Sequence, residues 1–306
     1  MHRFRSILFS PLAHVGNPAA ARRVRDLAVR NGATVTMLGS VPEPSRLQRM
    51  LQRAEHLDAL QAAERESLSA KLSRCFPDRT GIDVATRVTS GDPALRIVEE
   101  VLRAGHDLVV VTVDDETPRA TVNRLFRKCP CPVWVIRPSR ARVHRVLAAV
   151  DPDPSQTDIN RAILELAASM NELHGGELHL AHTWELYGEA TMRHSAFMRM
   201  SAADLQALLE EEAASHRAAI DELLSVTGRS GDPWQIHLRQ GRASAVLPEL
   251  VARHRINLLV MGTVARDGVS GLIIGNTAET VLDVVRCSVL AVKPPGFVSP
   301  IRLADT

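Results

Sequence analysis

Gly262, Gly268 and Gly275 lie in the stretch MGTVARDGVSGLIIGNTAETV (Met261–Val281), between an apolar run, Ile256–Met261, and a segment of helical period. Glycines at a strand-to-helix junction suit phosphate chemistry. They allow φ > 0 and close backbone approach, while the helix start adds unsatisfied N–H donors and the positive end of a dipole. A second reading needs no ligand. Asn276-Thr-Ala-Glu279 has the spacing of a capping box, so the loop would only turn the chain into a capped helix.

Other residues with chemical potential are sparse. Asp151-Pro-Asp153 pairs carboxylates at a strand end, a place to hold Mg²⁺ beside a nucleotide or simply a loop start rich in Pro and Asp. His179 and His182 are three apart on a predicted strand, hence on opposite faces, which argues against a shared metal. His182 is expected in the core and His179 nearer the surface. Cys129-Pro-Cys131 lacks metal-ligand spacing and reads as buried, reduced thiols of a cytoplasmic protein. Lys71, Lys128 and Lys293 are the only lysines, and none follows a glycine loop. With no nucleophile elbow, Walker lysine or metal triad, catalysis has no identified carrier.

The elements that must position these residues are those of a soluble globular chain. The 306 residues are 45% hydrophobic and 24% charged, long enough for two domains. A formal net charge of +2 leaves no electrostatic footprint for nucleic acid. No apolar run reaches the 18 or so residues of a spanning helix, so no membrane insertion is expected. The opening MHRFRSILFSPLAH reads as a first strand rather than a secretory signal.

The chain repeats itself. At an offset of 150 residues SGDPALRIVEEVLRAGHDLVVVT (Ser90–Thr112) falls on QGRASAVLPELVARHRINLLVMG (Gln240–Gly262), and at 156 CPVWVIRP (Cys131–Pro138) falls on CSVLAVKP (Cys287–Pro294). The first half therefore lacks six residues of the glycine loop. Each half reads strand, helix, strand, long helical insertion (Glu43–Arg74; Glu185–Gly228), strand, helix, apolar strand, helix, strand. In the second insertion Leu208, Ala213, His216, Ile220, Leu223 and Leu224 keep helical spacing. The Met-rich Met192–Met200 before them would line an apolar pocket or a partner surface, unless the helix merely packs on the sheet. Alternating strands and helices with continuously apolar strands predict two doubly wound α/β domains with parallel, Rossmann-like sheets, 1–138 and 142–306.

Two such halves, the Cys-Pro-Val-like final strands and the Gly262…Gly268…Gly275 loop resemble a tandem universal stress protein of the two-domain kind. LHLAHTWELYGEA (Leu178–Ala190), GNTAE (Gly275–Glu279) and RKCPCPVW (Arg127–Trp134) carry the likeness. The resemblance implies a cytoplasmic stress-response regulator, non-catalytic, whose two domains pack as an internal pseudo-dimer and which can pair further as a homodimer. Some members bind ATP. In those, the loop runs Gly, two residues, Gly, nine residues, Gly, then Ser or Thr, which maps here onto Gly262, Thr263, Ala265, Gly275, Asn276 and Thr277, with Asp151 at the position of the acid that helps hold adenine. Ala265 and Asn276 depart from the pattern. If the second glycine position demands a left-handed backbone, Ala265 costs about 1–2 kcal/mol, roughly five- to thirtyfold in affinity. The first half has Leu12 and Thr112 at the corresponding positions, and its glycine-free TVDDETPRAT places Asp114, Asp115 and Glu116 where an anion would sit. The implied ligand is ATP or another adenine nucleotide, with Mg²⁺, in the second domain. A slow Mg²⁺-dependent ATPase and a nucleotide-free module for an apolar, lipid-like ligand stand as alternatives.

Overall fold

A computed structural model describes residues 3–13, 15, 17–138, 145–172, 175–194, 201–263 and 276–303, with the side chains of 194, 276 and 277 outside that description. In chain order the elements are β1 (Ser6–Pro11), α1 (Pro18–Asn31), β2 (Thr34–Val41), α2 (Arg46–Leu51), α3 (Ala54–Ser73), β3 (Val84–Ser90), α4 (Pro93–Ala104), β4 (Leu108–Thr112), α5 (Arg119–Lys128) and β5 (Val133–Ile136). They continue with β6 (Arg145–Ala149), a 3-10 turn at Pro154–Gln156, α6 (Thr157–Glu172), β7 (Glu177–Trp184), α7 (Glu189–His194) and α8 (Ala202–Val226). The last are β8 (Trp234–Gln240), α9 (Ala243–Arg253), β9 (Leu258–Gly262), α10 (Asn276–Val284) and β10 (Ser288–Val292).

The contacts divide the chain into two compact units, one built on residues 1–140 with 288–306, the other on the segment from 141 through β9 with α10. In the first, the strands lie in the order β3-β2-β1-β4-β5 and are parallel, and β10 runs antiparallel on β5 with Leu290 opposite Trp134. In the second, the order is β9-β6-β7-β8, all parallel. These are the mostly parallel α/β sheets that the apolar runs predict.

The local reasons are legible. Asn17 and Asp92 cap α1 and α4 through their side chains, Gly32 and Gly105 end them in the left-handed region, and Ser201 with Asp204 closes a capping box on α8. β4 is buried along its whole length because helices cover both faces, and each Val or Leu so buried contributes about 1.5–3 kcal/mol. The two long insertions are helical, α2 with α3 and α7 with α8. α8 presents Leu205, Ile220, Leu223 and Leu224 inward, as amphipathic packing requires. Of the Met-rich lead-in, 195–200 lie outside the described residues. No helix among the described residues is long and apolar enough to cross a membrane.

Candidate functional site

In the second unit the chain leaves β6 for β7 on one side and later places β9 on the other, so a crevice opens beyond the carboxyl ends of β6 and β9. This is the switch point where open α/β sheets take ligands. A cleft of about 690 Å³ occupies it, within the range of small-molecule sites. Asp151, His182, Trp184, His216, Arg242 and Gly262 are among the residues lining it.

Asp151 follows β6 directly and is rigidly held. The Asn160 amide of α6 donates to the Asp151 carbonyl, while its Oδ1 accepts from the Asp151 N–H at 3.2 Å. Asn160 is 1% exposed, so this clasp is part of the core. One Asp151 oxygen accepts from the Asp153 N–H at 3.4 Å. Asp153 caps the following turn, accepting from Ser155 N at 2.9 Å and Ser155 Oγ at 2.6 Å, the behaviour of a loop-start aspartate.

Gly262 ends β9 opposite that turn. Its φ lies outside the left-handed region. A Cβ there would stand 2.9 Å from Ile159 Cδ1 at the start of α6, so close approach of the helix explains the glycine whether or not a phosphate is bound. Thr263 is fully buried beside it. Asp151, Gly262 and Thr263 are therefore brought together. Ala265, Gly268 and Gly275 lie outside the described residues, and Asn276 and Thr277 open α10 with side chains outside the description.

The opposite wall comes from β7 and α8. His182 and Trp184, two apart on one strand, share a face. The His182 Nδ1–H donates to the Val150 carbonyl at 3.2 Å, since a carbonyl can only accept, and this leaves Nε2 to accept from His216 Nδ1–H at 3.1 Å. The His216 ring stacks on Trp184, centroids 5.3 Å apart and planes 26° off parallel. A flat imidazole-indole wall facing a fixed carboxylate suits an aromatic heterocycle better than a flexible chain. The imidazole pair is anchored on the Val150 backbone carbonyl. Arg242 stands at the mouth, 80% exposed, with Glu185 at 3.5 Å. The strand before it turns at Gly241, whose φ of 125° matches the 119° of its repeat partner Gly91.

The sequence reading expected His179 near the surface; the structure corrects this. His179 is 1% exposed and His182 3%, because β7 is an interior strand with covered faces. The two do point to opposite faces: His179 turns away from the cleft toward His237 and His254. Asn160, Trp184 and Arg242 escaped sequence reasoning, and His216 was visible there only as one position of a helical stripe. The signal for Trp184 was its spacing of two from His182; nothing local marked Asn160.

The equivalent place in the first unit is closed by the chain itself. Past β1, the Ala13 N–H donates to the Thr112 carbonyl at 3.1 Å and the Thr112 hydroxyl donates back to the Ala13 carbonyl at 2.7 Å. Asp114 then folds its carboxylate onto the N–H groups of Glu116 and Thr117.

A model of the universal stress protein family matches residues 14–137 and again 142–293. Universal stress protein E of Escherichia coli strain K12 is 27% identical over 231 residues, 70% of this chain and 69% of that protein. The universal stress protein E homolog of Haemophilus influenzae is 29% identical over 232 residues, 68% of each chain. Among solved structures, a functionally unknown protein from Pseudomonas aeruginosa PAO1 matches at 25% identity with a TM-score of 0.67, covering 96% of this chain and 94% of that one. A universal stress protein from Archaeoglobus fulgidus shares the fold at 16% identity, with a TM-score of 0.61 over 94% of this chain and 96% of that one. With the family pattern present twice along one chain, the protein belongs to the universal stress protein family.

Proposed function

We propose that this protein is a cytoplasmic stress-response regulator that binds an adenine nucleotide in its second unit and acts through binding rather than turnover. Family membership supports the stress-response role. The observation that carries the nucleotide reading is the cleft at the β6–β9 switch point, with Asp151 fixed on one side and the Trp184–His216 stack on the other. Asp151 supplies an acceptor for an exocyclic amine, the ring wall supplies a stacking face, and Arg242 at the mouth supplies charge for phosphate. The self-clasped Ala13–Thr112 segment supports a structural role for the first unit. Mg²⁺, where present, would come with the nucleotide, because Asp153 is committed to its own turn. Pairing with a second copy is expected from the family likeness.

The test is mass spectrometry of the small molecule released on denaturation, together with calorimetric titration of ATP into the stripped protein. An adenine nucleotide in the released fraction, saturable heat, and at least about tenfold weaker binding in Asp151→Ala are expected. Absence of both nucleotide and heat would overturn the reading, and a co-purifying apolar molecule would replace it. Phosphate release that disappears in Asp151→Ala would replace the non-catalytic part with a slow ATPase.

A further inference from the structure

On the face of the second unit's sheet that carries α9, three histidines converge. His179 on β7 and His237 on β8 are diagonal neighbours, since His179 pairs with Gln235 and His237 lies two residues on, on the same face. His254 caps the C-terminus of α9 and closes the group from above the sheet. Ring centroids are 5.2 Å apart for His179–His237, 4.3 Å for His237–His254 and 5.5 Å for His179–His254. One ring nitrogen from each lies within 4.8 Å of the other two.

We propose that His179, His237 and His254 form a site for a divalent transition-metal cation of the zinc class, distinct from the nucleotide cleft. The ligand chemistry selects the class. Three imidazoles, joined by no carboxylate or thiol in the cluster among the described residues, favour Zn²⁺, Cu²⁺ or Ni²⁺ over Mg²⁺ or Ca²⁺. The spacing suits it too. Tetrahedral coordination at about 2.0–2.1 Å separates ligand nitrogens by roughly 3.3 Å, and His179 Nδ1 already stands 3.0 Å from His237 Nε2.

Two observations besides the cluster point to a ligand. The His254 Nε2 atom is buried without a hydrogen-bond partner, an arrangement that leaves a polar atom of a closed core unsatisfied. Beyond His179 Nε2, at 3.5 Å, stands Glu177 Oε2, itself tied to Arg145 Nε at 3.2 Å. A ligating histidine commonly turns its other N–H toward a carboxylate in this way. The protons balance: on metal binding the proton shared between His179 and His237 moves to an outer ring nitrogen, in His179 the Nε2 that faces Glu177, and none need be released. His254 is only partly covered and gives the cation its way in. Three His ligands leave a fourth position for water or an incoming group.

The experiment uses the full chain without a histidine tag, stripped with chelator. Zn²⁺ is added in equilibrium dialysis and counted by elemental analysis, and Co²⁺ is added as an optical probe of tetrahedral nitrogen ligation. One Zn²⁺ per chain with submicromolar affinity is expected, falling about 100-fold or more in His237→Gln and His254→Gln and about 10- to 100-fold in Glu177→Gln. Cys129→Ser/Cys131→Ser should leave binding unchanged, which separates this site from the thiol pair. Circular dichroism confirms that each variant is folded. Wild-type protein that takes up no Zn²⁺ at micromolar concentration, or uptake untouched by both histidine substitutions, overturns the proposal without reference to any variant's stability or to the nucleotide cleft.

Discussion

Gly262 shows how one residue can invite two explanations that a stability measurement separates. Its missing Cβ leaves room for Ile159 Cδ1, and its backbone needs no left-handed conformation, so packing alone accounts for it. Gly262→Ala should therefore destabilise the protein by about 1–2 kcal/mol through overpacking, and Ile159→Val in the same chain should recover part of that loss in urea titrations. An alanine variant of unchanged stability but impaired ATP binding would assign the glycine to the phosphate instead. His237 offers a second measurement. Its folded ring stays neutral down to about pH 4 while the unfolded ring protonates near 6.5, because burial comes first and His254, His179 and Arg239 add repulsion. Between those values the unfolded chain binds the extra proton, so stability rises with pH across the window and is lost as pH falls through it. Metal-free protein should lose about 2 kcal/mol from this ring between pH 7 and pH 5. His237→Gln should flatten that part of the urea-denaturation profile.

The helix α6 ties residue chemistry to the sheet. Ile159 excludes a side chain at the end of β9, and Asn160, one residue on, clasps the backbone after β6, so a single helical turn fixes both lips of the cleft. Asn160→Ala removes two hydrogen bonds from Asp151 and should cost about 1–3 kcal/mol, with ATP affinity falling because the carboxylate is no longer held in place. A variant that binds ATP as wild type does would confine Asn160 to a structural role. Elements of this kind were readable in the sequence wherever the pattern is local: the apolar β4, the amphipathic stripe of α8. What was not readable is what depends on register. His179 and His182 announce opposite faces by their spacing, but that β7 is interior, and that β8 brings His237 diagonally beside His179, follows only from strand order. Asn160 looked like one polar position in a helix, and its buried clasp depends on where α6 begins relative to β6.

Across the whole chain the repeat was visible as matched turns, and Gly91 with Gly241 keeps the same positive φ in both copies. The copies diverge at the switch point. Where the second unit opens a cleft between Asp151 and Gly262, the first extends its β1–β4 pairing to Thr112 and locks Ala13 onto it. Sequence alone indicated this through the lost glycines, but the clasp that replaces them is a tertiary hydrogen-bond exchange with no local signature. The divergence predicts that a nucleotide acts on one unit only. A ligand that binds the native state at about 100 times its Kd stabilises it by about 2.7 kcal/mol, and this slows exchange of amides that open with that unit by roughly 100-fold. Hydrogen exchange with and without saturating ATP should therefore show added protection at Val150, Asp151, Thr183 and Gly262, at the carboxyl ends of the second sheet. The amides of Ala13 and Val113, already paired to Thr112 and Ile136, should exchange at the same rate in both conditions. Equal protection in the two units would mean that both open as one, or that ATP has a site in the first; ATP titration of an Asp151→Ala chain decides between these, because only a site in the first unit keeps its affinity when the second has lost its acid.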